Sequence, residues 1–287
     1  MKSCIRVVVL TFAGLALCGA LAAGLLVYTG WYDVSATQPH TKLVHRLLDI
    51  GLARSVAVRA EQIQEPDLSG EARIKNGFEL FRTHCVQCHG APGAAPAPYA
   101  LGLNPAPASL VASARERPAT EIFWIIREGI KMTGMPAWKY RLTDTQMWDV
   151  VAFMRILPTL SAVDYRQWDE SSTARLPRSA SSASAPTNTV RLGDATAGRQ
   201  ALEQYLCATC HVIPDVAGAS HHVGPSLGGI AARPFIAGVL PNNAENMRLW
   251  LMAPTTIKPG TAMPDLGISD QDARDIAAFL TTLSDSP

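Results

Sequence analysis

The chain has 287 residues, which is long enough for two or three domains. Its formal net charge is +1, from 25 Lys and Arg against 24 Asp and Glu, so its charge predicts neither nucleic acid nor another polyanion as a partner. The order of its apolar segments, cysteine motifs and turn residues is more informative.

The first element along the chain is an apolar segment. Residues 7–30 contain no charged side chain, and this run is longer than the roughly 7–15 apolar residues at the core of a signal peptide. The run can span a bilayer, and Trp31 and Tyr32 follow it where an interfacial aromatic belt would lie. Residues 1–32 are therefore predicted to be a single-pass membrane anchor whose basic end stays in the cytoplasm. A signal peptide cleaved after Ala22 is the alternative.

The next segment, residues 33–65, is predicted to hold a basic amphipathic helix. Apolar side chains such as Leu43 and Leu47 recur at helical spacing, and Arg46 and Arg54 lie among them. Such a helix can lie near the membrane surface, or it can pack on the domain that follows. The pattern is compatible with both positions.

Two strings of five residues share the pattern C-x-x-C-H: CVQCH begins at Cys85 and CATCH begins at Cys207. In this spacing two thiols can bind the vinyl groups on one porphyrin edge, and the adjoining imidazole can bind the iron. A zinc ribbon would require the two cysteine pairs to meet although about 120 residues separate them, and a redox dithiol would need a βαβ context that the sequence does not show. Disulfides would give the two histidines no role. The pattern therefore predicts two covalently bound haem c groups, with four attachment cysteines and two iron ligands: Cys85, Cys88, Cys207, Cys210, His89 and His211.

Each motif lies in the same succession of elements, which indicates an internal repeat. A helical stretch with a glycine precedes each motif, and a helix with an N-capping sequence closes each unit. Gly77 and Gly198 are predicted to let the closing helix cross closely. The repeats predict domains at 66–165 and 190–287, joined by a Ser/Ala/Pro-rich flexible linker at 166–189.

A Met-Pro pair follows each motif and precedes each closing helix. Met135 lies 46 residues after His89, and Met263 lies 52 residues after His211. A thioether suits a low-spin haem iron, and the following proline keeps the methionine on an extended loop. Both methionines are therefore predicted to be the second axial ligands. Met132 is the competing ligand in the first repeat, and a packing role is the alternative for both positions.

The order of helix, C-x-x-C-H, long loop, Met-Pro and helix resembles that of class I cytochrome c domains. The resemblance covers residues 66–160 and 190–287, and residues 241–266 also resemble cytochrome c domains fused to subunit II of some haem–copper oxidases. It implies a mainly α fold, with two cytochrome c-type helical domains in tandem after one transmembrane helix.

The second repeat also resembles this family in the loop after its motif. The string GPSL begins at Gly224, and Arg233 lies downstream, as in the family's Gly-Pro-x-Leu and later Arg. The resemblance implies that the Pro225 carbonyl holds the imidazole of His211 and that Arg233 faces a haem propionate. The first repeat has no Gly-Pro pair, and Pro107 is its corresponding residue.

The function implied by the resemblance is electron transfer, because an iron held by His and Met has no open position for a substrate. The expected protein is not an enzyme. It is a membrane-tethered dihaem carrier that passes single electrons between a quinol-oxidising complex or periplasmic dehydrogenase and a terminal oxidase or soluble cytochrome. A permanent cytochrome subunit of a dehydrogenase or oxidase is one alternative. A dihaem peroxidase is another, with His221 and His222 as its only candidate acid–base groups. The expected location is the bacterial cytoplasmic membrane, with the haem domains on the periplasmic side.

Overall fold

A computed structural model of the chain describes residues 2–172 and 191–283. These residues are mainly helical, as predicted. In the described part of the chain the only paired strands are β1 (Phe235–Ile236) and β2 (Leu240–Pro241), which form a short antiparallel hairpin. Residues 173–189 of the predicted linker lie outside the described residues.

The N-terminal helix α1 spans Lys2–Thr29 and belongs to a separate compact unit, residues 1–38. Within the described residues it is the one helix that is both long enough and apolar enough to cross a membrane. The helix therefore agrees with the predicted anchor. A signal sequence near an N-terminus would satisfy the same criterion of length and apolar composition.

The second compact unit begins at residue 39 and opens with helix α2, which spans Lys42–Ala60. Its N-terminus is capped by the Thr41 hydroxyl, which accepts a hydrogen bond from the backbone N–H of Val44. Val56 and Ala60 near its C-terminal end are buried, and α2 packs against α6 (Ala119–Glu128) of the first repeat. Of the two positions predicted for this helix, packing on the first domain is therefore confirmed for its C-terminal end.

The first repeat contains six α-helices among the described residues. Apart from α6, they are α3 (Glu71–His84), α4 (Val86–His89), α5 (Leu110–Glu116), α7 (Asp144–Ile156) and α8 (Ala162–Ser171). Single 3₁₀ turns lie at Pro98–Ala100, Trp138–Tyr140 and Leu157–Thr159.

The core of the first repeat forms where α3 crosses α7. Phe81 on α3 and Phe153 on α7 are both fully buried, with ring centroids 5.0 Å apart. A β-carbon at Gly77 would lie 1.8 Å from the carbonyl oxygen of Asp149, so the crossing requires glycine there. This confirms the predicted role of Gly77.

Helix α8 corrects the predicted start of the linker, because residues 166–171 are helical. Tyr165 is buried, and the ring of Trp168 meets that of Phe78 edge-on at 5.3 Å between centroids. Ser161 and Asp164 form a capping box that begins the helix. The aromatic side chains three residues apart give the segment an apolar face, which holds it on the first core.

The second repeat has four α-helices in its described part: α9 (Ala195–Gln204), α10 (Ala244–Met252), α11 (Pro254–Ile257) and α12 (Asp270–Thr281). Helices α9 and α12 cross at Gly198, where a β-carbon would lie 1.9 Å from the carbonyl oxygen of Asp275. The crossing therefore repeats the one at Gly77. Leu202 and Ile276 are buried beside it in the second core.

The two repeats touch within the second compact unit. The backbone N–H of Gly93 donates to the carbonyl oxygen of Ala262 at 3.2 Å, and that of Gly102 donates to the carbonyl oxygen of Gln204 at 2.8 Å. Helix α2 also reaches the second repeat, because the Nζ atom of Lys42 lies 2.7 Å from a carboxylate oxygen of Asp215. Two loops of the first repeat and one end of α2 thus contact the second repeat.

Candidate haem-binding sites

The first cysteine motif occupies a single turn of helix at the end of α3. The backbone N–H groups of Cys88 and His89 both donate to the carbonyl oxygen of Cys85, at 3.1 and 3.0 Å. Residues three and four apart lie on the same side of a helix, so this turn places the two thiols and the imidazole together. Gly90 ends the turn at a φ of 64°, a left-handed conformation that favours glycine.

The imidazole of His89 is oriented by a backbone carbonyl. Its Nδ1 atom lies 2.7 Å from the carbonyl oxygen of Ala108. A carbonyl oxygen only accepts, so Nδ1 carries the proton and Nε2 keeps its lone pair. Burial lowers the pKa of His89 more than this hydrogen bond raises it, which favours the neutral form that binds a metal.

The prediction that Pro107 would provide this carbonyl is wrong by one residue. Ala108 directly precedes Ser109, whose hydroxyl caps the N-terminus of α5 by accepting the N–H of Ala112. The start of α5 sets the path of the loop, and that path brings the carbonyl of Ala108, not that of Pro107, to His89.

The second motif has the same connectivity in a tighter turn. The N–H groups of Cys210 and His211 donate to the carbonyl oxygen of Cys207 at 3.2 and 3.0 Å. The Nδ1 atom of His211 lies 2.7 Å from the carbonyl oxygen of Pro225, the acceptor that the resemblance implied. Burial also lowers the pKa of His211. Its Nε2 is therefore left as the metal-binding atom, as in His89.

Arg233 holds the loop that carries Pro225. Its Nη2 atom donates to the carbonyl oxygens of Ser226 at 2.6 Å and Gly228 at 2.9 Å. A guanidinium has five N–H donors, so these two bonds leave others for a carboxylate. The propionate contact predicted for Arg233 is compatible with this arrangement.

The two predicted methionine ligands lie on loops that pack on the same cores as the cysteines. Met135 and Cys85 both pack against the first core, and Met263 and Cys207 both pack against the second. Met132, the competing residue, is 96% exposed and has a φ of 58°. Burial therefore favours Met135 over Met132 as the ligand.

A threonine two residues before each methionine was missed by the sequence analysis. The hydroxyl of Thr133 accepts the N–H of Met135 at 3.0 Å, and that of Thr261 accepts the N–H of Met263 at 3.3 Å. Thr133 also donates to the carbonyl oxygen of Ile130 at 2.7 Å. The shared string T-x-M-P was visible in both repeats and could have revealed this turn.

The cysteines do not fit the alternative chemistries. Burial raises the pKa values of Cys85 and Cys207 to about 12, with a further increase from the second cysteine of each pair. Such thiols stay protonated near neutral pH, unlike the attacking thiol of a redox dithiol. The two pairs belong to separate cores, so they do not combine into a zinc ribbon, and none of the described cysteines forms a disulfide.

The donor set of each repeat therefore fits a covalently attached haem c. On one turn, each repeat provides two thiols and an imidazole whose Nδ1 is hydrogen-bonded to a backbone carbonyl. Each also provides a thioether on a loop that packs against the same core.

Comparison with known families agrees with this assignment. Residues 72–154 match the family described as cytochrome c oxidase, cbb3-type, subunit III, and residues 195–284 match the family described as cytochrome c. Each repeat therefore has its own cytochrome c-type match. The chain matches no solved structure.

Three curated relatives are each described as cytochrome c oxidase subunit 2. The protein of Alkalihalophilus pseudofirmus is 32% identical over 128 residues, or 44% of this chain and 33% of the relative. That of Bacillus sp. strain PS3 is 35% identical over 66 residues (22% and 18%), and that of Bacillus subtilis is 32% identical over 82 residues (26% and 23%). The chain thus spans a third or less of the length of these relatives. It is a c-type cytochrome, with two cytochrome c domains in tandem after an apolar N-terminal helix.

Proposed function

We propose that the protein is a membrane-tethered dihaem electron carrier with one haem c in each domain. His89 and Met135 would hold the first haem, and His211 and Met263 the second. A haem c with these ligands takes up and releases single electrons without binding a substrate. The protein residues bind and orient the groups and exclude water from them.

The observation that carries this proposal is the haem c donor set in each domain, and the hydrogen bond between Gly93 and Ala262, at 3.2 Å, supports electron transfer between the domains. Gly93 lies four residues after the ligand His89, and Ala262 directly precedes the ligand Met263. The backbone segments that carry ligands in the two domains are therefore in direct contact. This contact supports a relay in which electrons pass between the domains inside one chain.

The contact can be tested by adding bulk at Gly102. A β-carbon there would lie 2.4 Å from the Oε1 atom of Gln204, and a leucine would add three more carbons to the domain contact. Gly238 is a matched control, because both glycines have a φ of 75° and nothing lies within 4 Å of a β-carbon at Gly238. We expect Gly102→Leu, but not Gly238→Leu, to slow electron equilibration between the haems after rapid photoreduction. Equal rates in the two variants would contradict the relay.

The number of haems is tested separately. Replacing Cys85 and Cys88 together with alanine should leave a protein whose mass exceeds that of the polypeptide by one haem, against two for the native chain. Loss of both groups, or a native mass with only one, would contradict the proposed stoichiometry.

The proposed place of action is the bacterial cytoplasmic membrane, with both domains on the periplasmic side. Helix α1 supports this as the candidate span, and its basic end favours a cytoplasmic N-terminus. Extraction from membranes should require detergent, and N-terminal sequencing should find residues before Ala20. A soluble protein that begins near Ala23 would instead establish a cleaved signal peptide.

The electron donor is proposed to be a quinol-oxidising complex or a periplasmic dehydrogenase, and the acceptor a terminal oxidase or a soluble cytochrome. The likeness to oxidase subunits favours the oxidase side and also favours the second candidate, a permanent oxidase subunit. Co-purification from solubilised membranes distinguishes the two: a stoichiometric complex indicates a subunit, and an isolated cytochrome indicates a carrier.

A dihaem peroxidase is less well supported. The Nδ1 atom of His221 lies 3.4 Å from a carboxylate oxygen of Glu116, and the carbonyl of His222 accepts a long hydrogen bond from Arg115 at 3.5 Å. These bonds join the two domains, so the candidate acid–base residues take part in domain contact. We therefore propose electron transfer without bond chemistry.

A further inference from the structure

Helix α2 has apolar side chains on two opposite faces. Its inner face buries Val56 and Ala60 against the first domain. Its outer face carries four exposed apolar side chains, which are 51–69% accessible: Leu43, Leu47, Ile50 and Val58. We call these four residues the outer stripe. Exposed apolar side chains aligned along one helix face mark a surface that another phase or molecule covers.

We propose that the outer stripe lies in the anionic surface of the membrane, so that α2 is an interfacial helix. The inference rests on the membrane anchoring proposed for α1 and adds a second membrane contact to it. An interfacial helix of this kind has an apolar face in the acyl boundary and basic side chains at the headgroups.

The charges of α2 match an anionic lipid surface. Its sequence holds four Lys and Arg residues and one Asp, and Arg46 and Arg54 are both exposed. On an ideal helix Arg54 lies within the outer stripe, and Arg46 lies at its edge. Lys42 is paired with Asp215, and the guanidinium of Arg59 bonds to Ser55. Arg46 and Arg54 are therefore the basic side chains best placed to bind lipid phosphates.

The length of chain between the two helices keeps α2 near the bilayer. Residues 30–41 separate the end of α1 at Thr29 from the start of α2 at Lys42. Twelve residues reach at most about 40 Å when fully extended. Trp31 and Val34 within this segment are exposed and apolar, which suits a connection that follows the membrane interface.

Such a position would hold the first domain at the membrane. The inner face of α2 packs on α6. Binding of the outer stripe to lipid would therefore also hold the first domain at the membrane surface. The first domain would then meet membrane-bound redox partners with less orientational freedom than a domain on a free tether, which raises its effective concentration at their surface.

Photo-crosslinking in lipid nanodiscs tests the inference on the full-length protein. A benzoylphenylalanine is placed at Leu47, on the outer stripe, or at Asp49, which is also exposed but projects about 160° away on an ideal helix. The nanodiscs contain phosphatidylcholine with phosphatidylglycerol. We expect lipid adducts, identified by mass, to be at least about tenfold more abundant at position 47 than at position 49. Equal yields would overturn the inference.

Two further outcomes distinguish the occupant and the premise. In native membranes, a polypeptide adduct at position 47 in place of a lipid adduct would show that a protein covers the stripe, which overturns the proposal. In nanodiscs, failure of the whole chain to incorporate would contradict the anchoring of α1 and this inference together. Incorporation without a lipid adduct at position 47 would contradict the inference alone.

The charge component has its own test in the same experiment. Arg46→Glu combined with Arg54→Glu should reduce the adduct yield at position 47 severalfold in anionic nanodiscs and should have little effect in pure phosphatidylcholine. The haem spectra should be unchanged in these variants. A yield that does not depend on phosphatidylglycerol would overturn the assignment to an anionic surface.

Discussion

Gly224 lies against the imidazole of His211, so closely that a β-carbon at residue 224 would be 2.4 Å from its Cε1 atom. The same ring is held on its Nδ1 side by the carbonyl of Pro225. The absence of a side chain at Gly224 is therefore what lets the ring reach that carbonyl.

We expect Gly224→Ala to displace the imidazole of His211 and to destabilise the second domain by about 1–3 kcal/mol, as in other overpacked sites. Chemical unfolding followed by the haem spectrum measures this change. Gly51→Ala is the control, because nothing lies within 4 Å of a β-carbon at that helical position. If the two variants unfold alike, the close contact in the second domain has no energetic role.

The two helix crossings should fail independently. Gly77→Ala forces a β-carbon against the Asp149 backbone, and Gly198→Ala does so against the Asp275 backbone. Because a backbone cannot rotate out of the way, each change should weaken its own domain by about 1–3 kcal/mol or more. Differential scanning calorimetry should show one transition lowered and the other nearly retained. A uniform shift of both transitions would mean that the domains unfold as one unit.

The assignment of Met135 over Met132 has a direct spectroscopic test. Met135 packs on the first core, whereas Met132 is almost fully exposed. We expect Met135→Ala to remove the methionine-to-iron charge-transfer band of the first haem and Met132→Ala to keep it. The opposite result would reassign the ligand.

The threonine before each methionine should stabilise the ligand loop. Thr133→Val removes the hydroxyl that accepts the N–H of Met135 and donates to Ile130. The loss of such hydrogen bonds costs about 1 kcal/mol or more. The variant should therefore let added imidazole displace methionine at a concentration about five- to tenfold lower. Thr133→Ser keeps the hydroxyl and should restore the native value; if it behaves like valine, the hydroxyl is not the cause.

Asp149 should make the first domain sensitive to pH. Burial raises its pKa above the ordinary value of 3.8, more than Arg73 and Asn76 lower it. The folded state then holds the proton more tightly than the unfolded state, so this residue lowers stability as pH rises from about 3.8 through the raised pKa. Asp149→Asn should flatten the pH dependence of the free energy of unfolding in that window. An unchanged slope would show that other groups control it.

The haem-binding motifs could be predicted from sequence because their chemistry is local. Cys85, Cys88 and His89 need only one turn of backbone to come together, and Cys207 begins the same arrangement. The glycines at the two helix crossings were also visible, because the repeat placed them at corresponding positions. The apolar length of α1 depends on composition alone and not on packing.

Only the tertiary structure decided how distant segments meet. His89 bonds to Ala108 and not to Pro107, because the start of α5 sets the path of a loop that reaches back over 19 residues. Helix α8 continues past residue 165 because the ring of Trp168 packs edge-on against Phe78 in the first core. The contact between Gly93 and Ala262 joins two residues that are far apart in the sequence and lie in different domains. Motif spacing determines which atoms a short turn brings together, whereas contacts between loops depend on the packing of both whole domains.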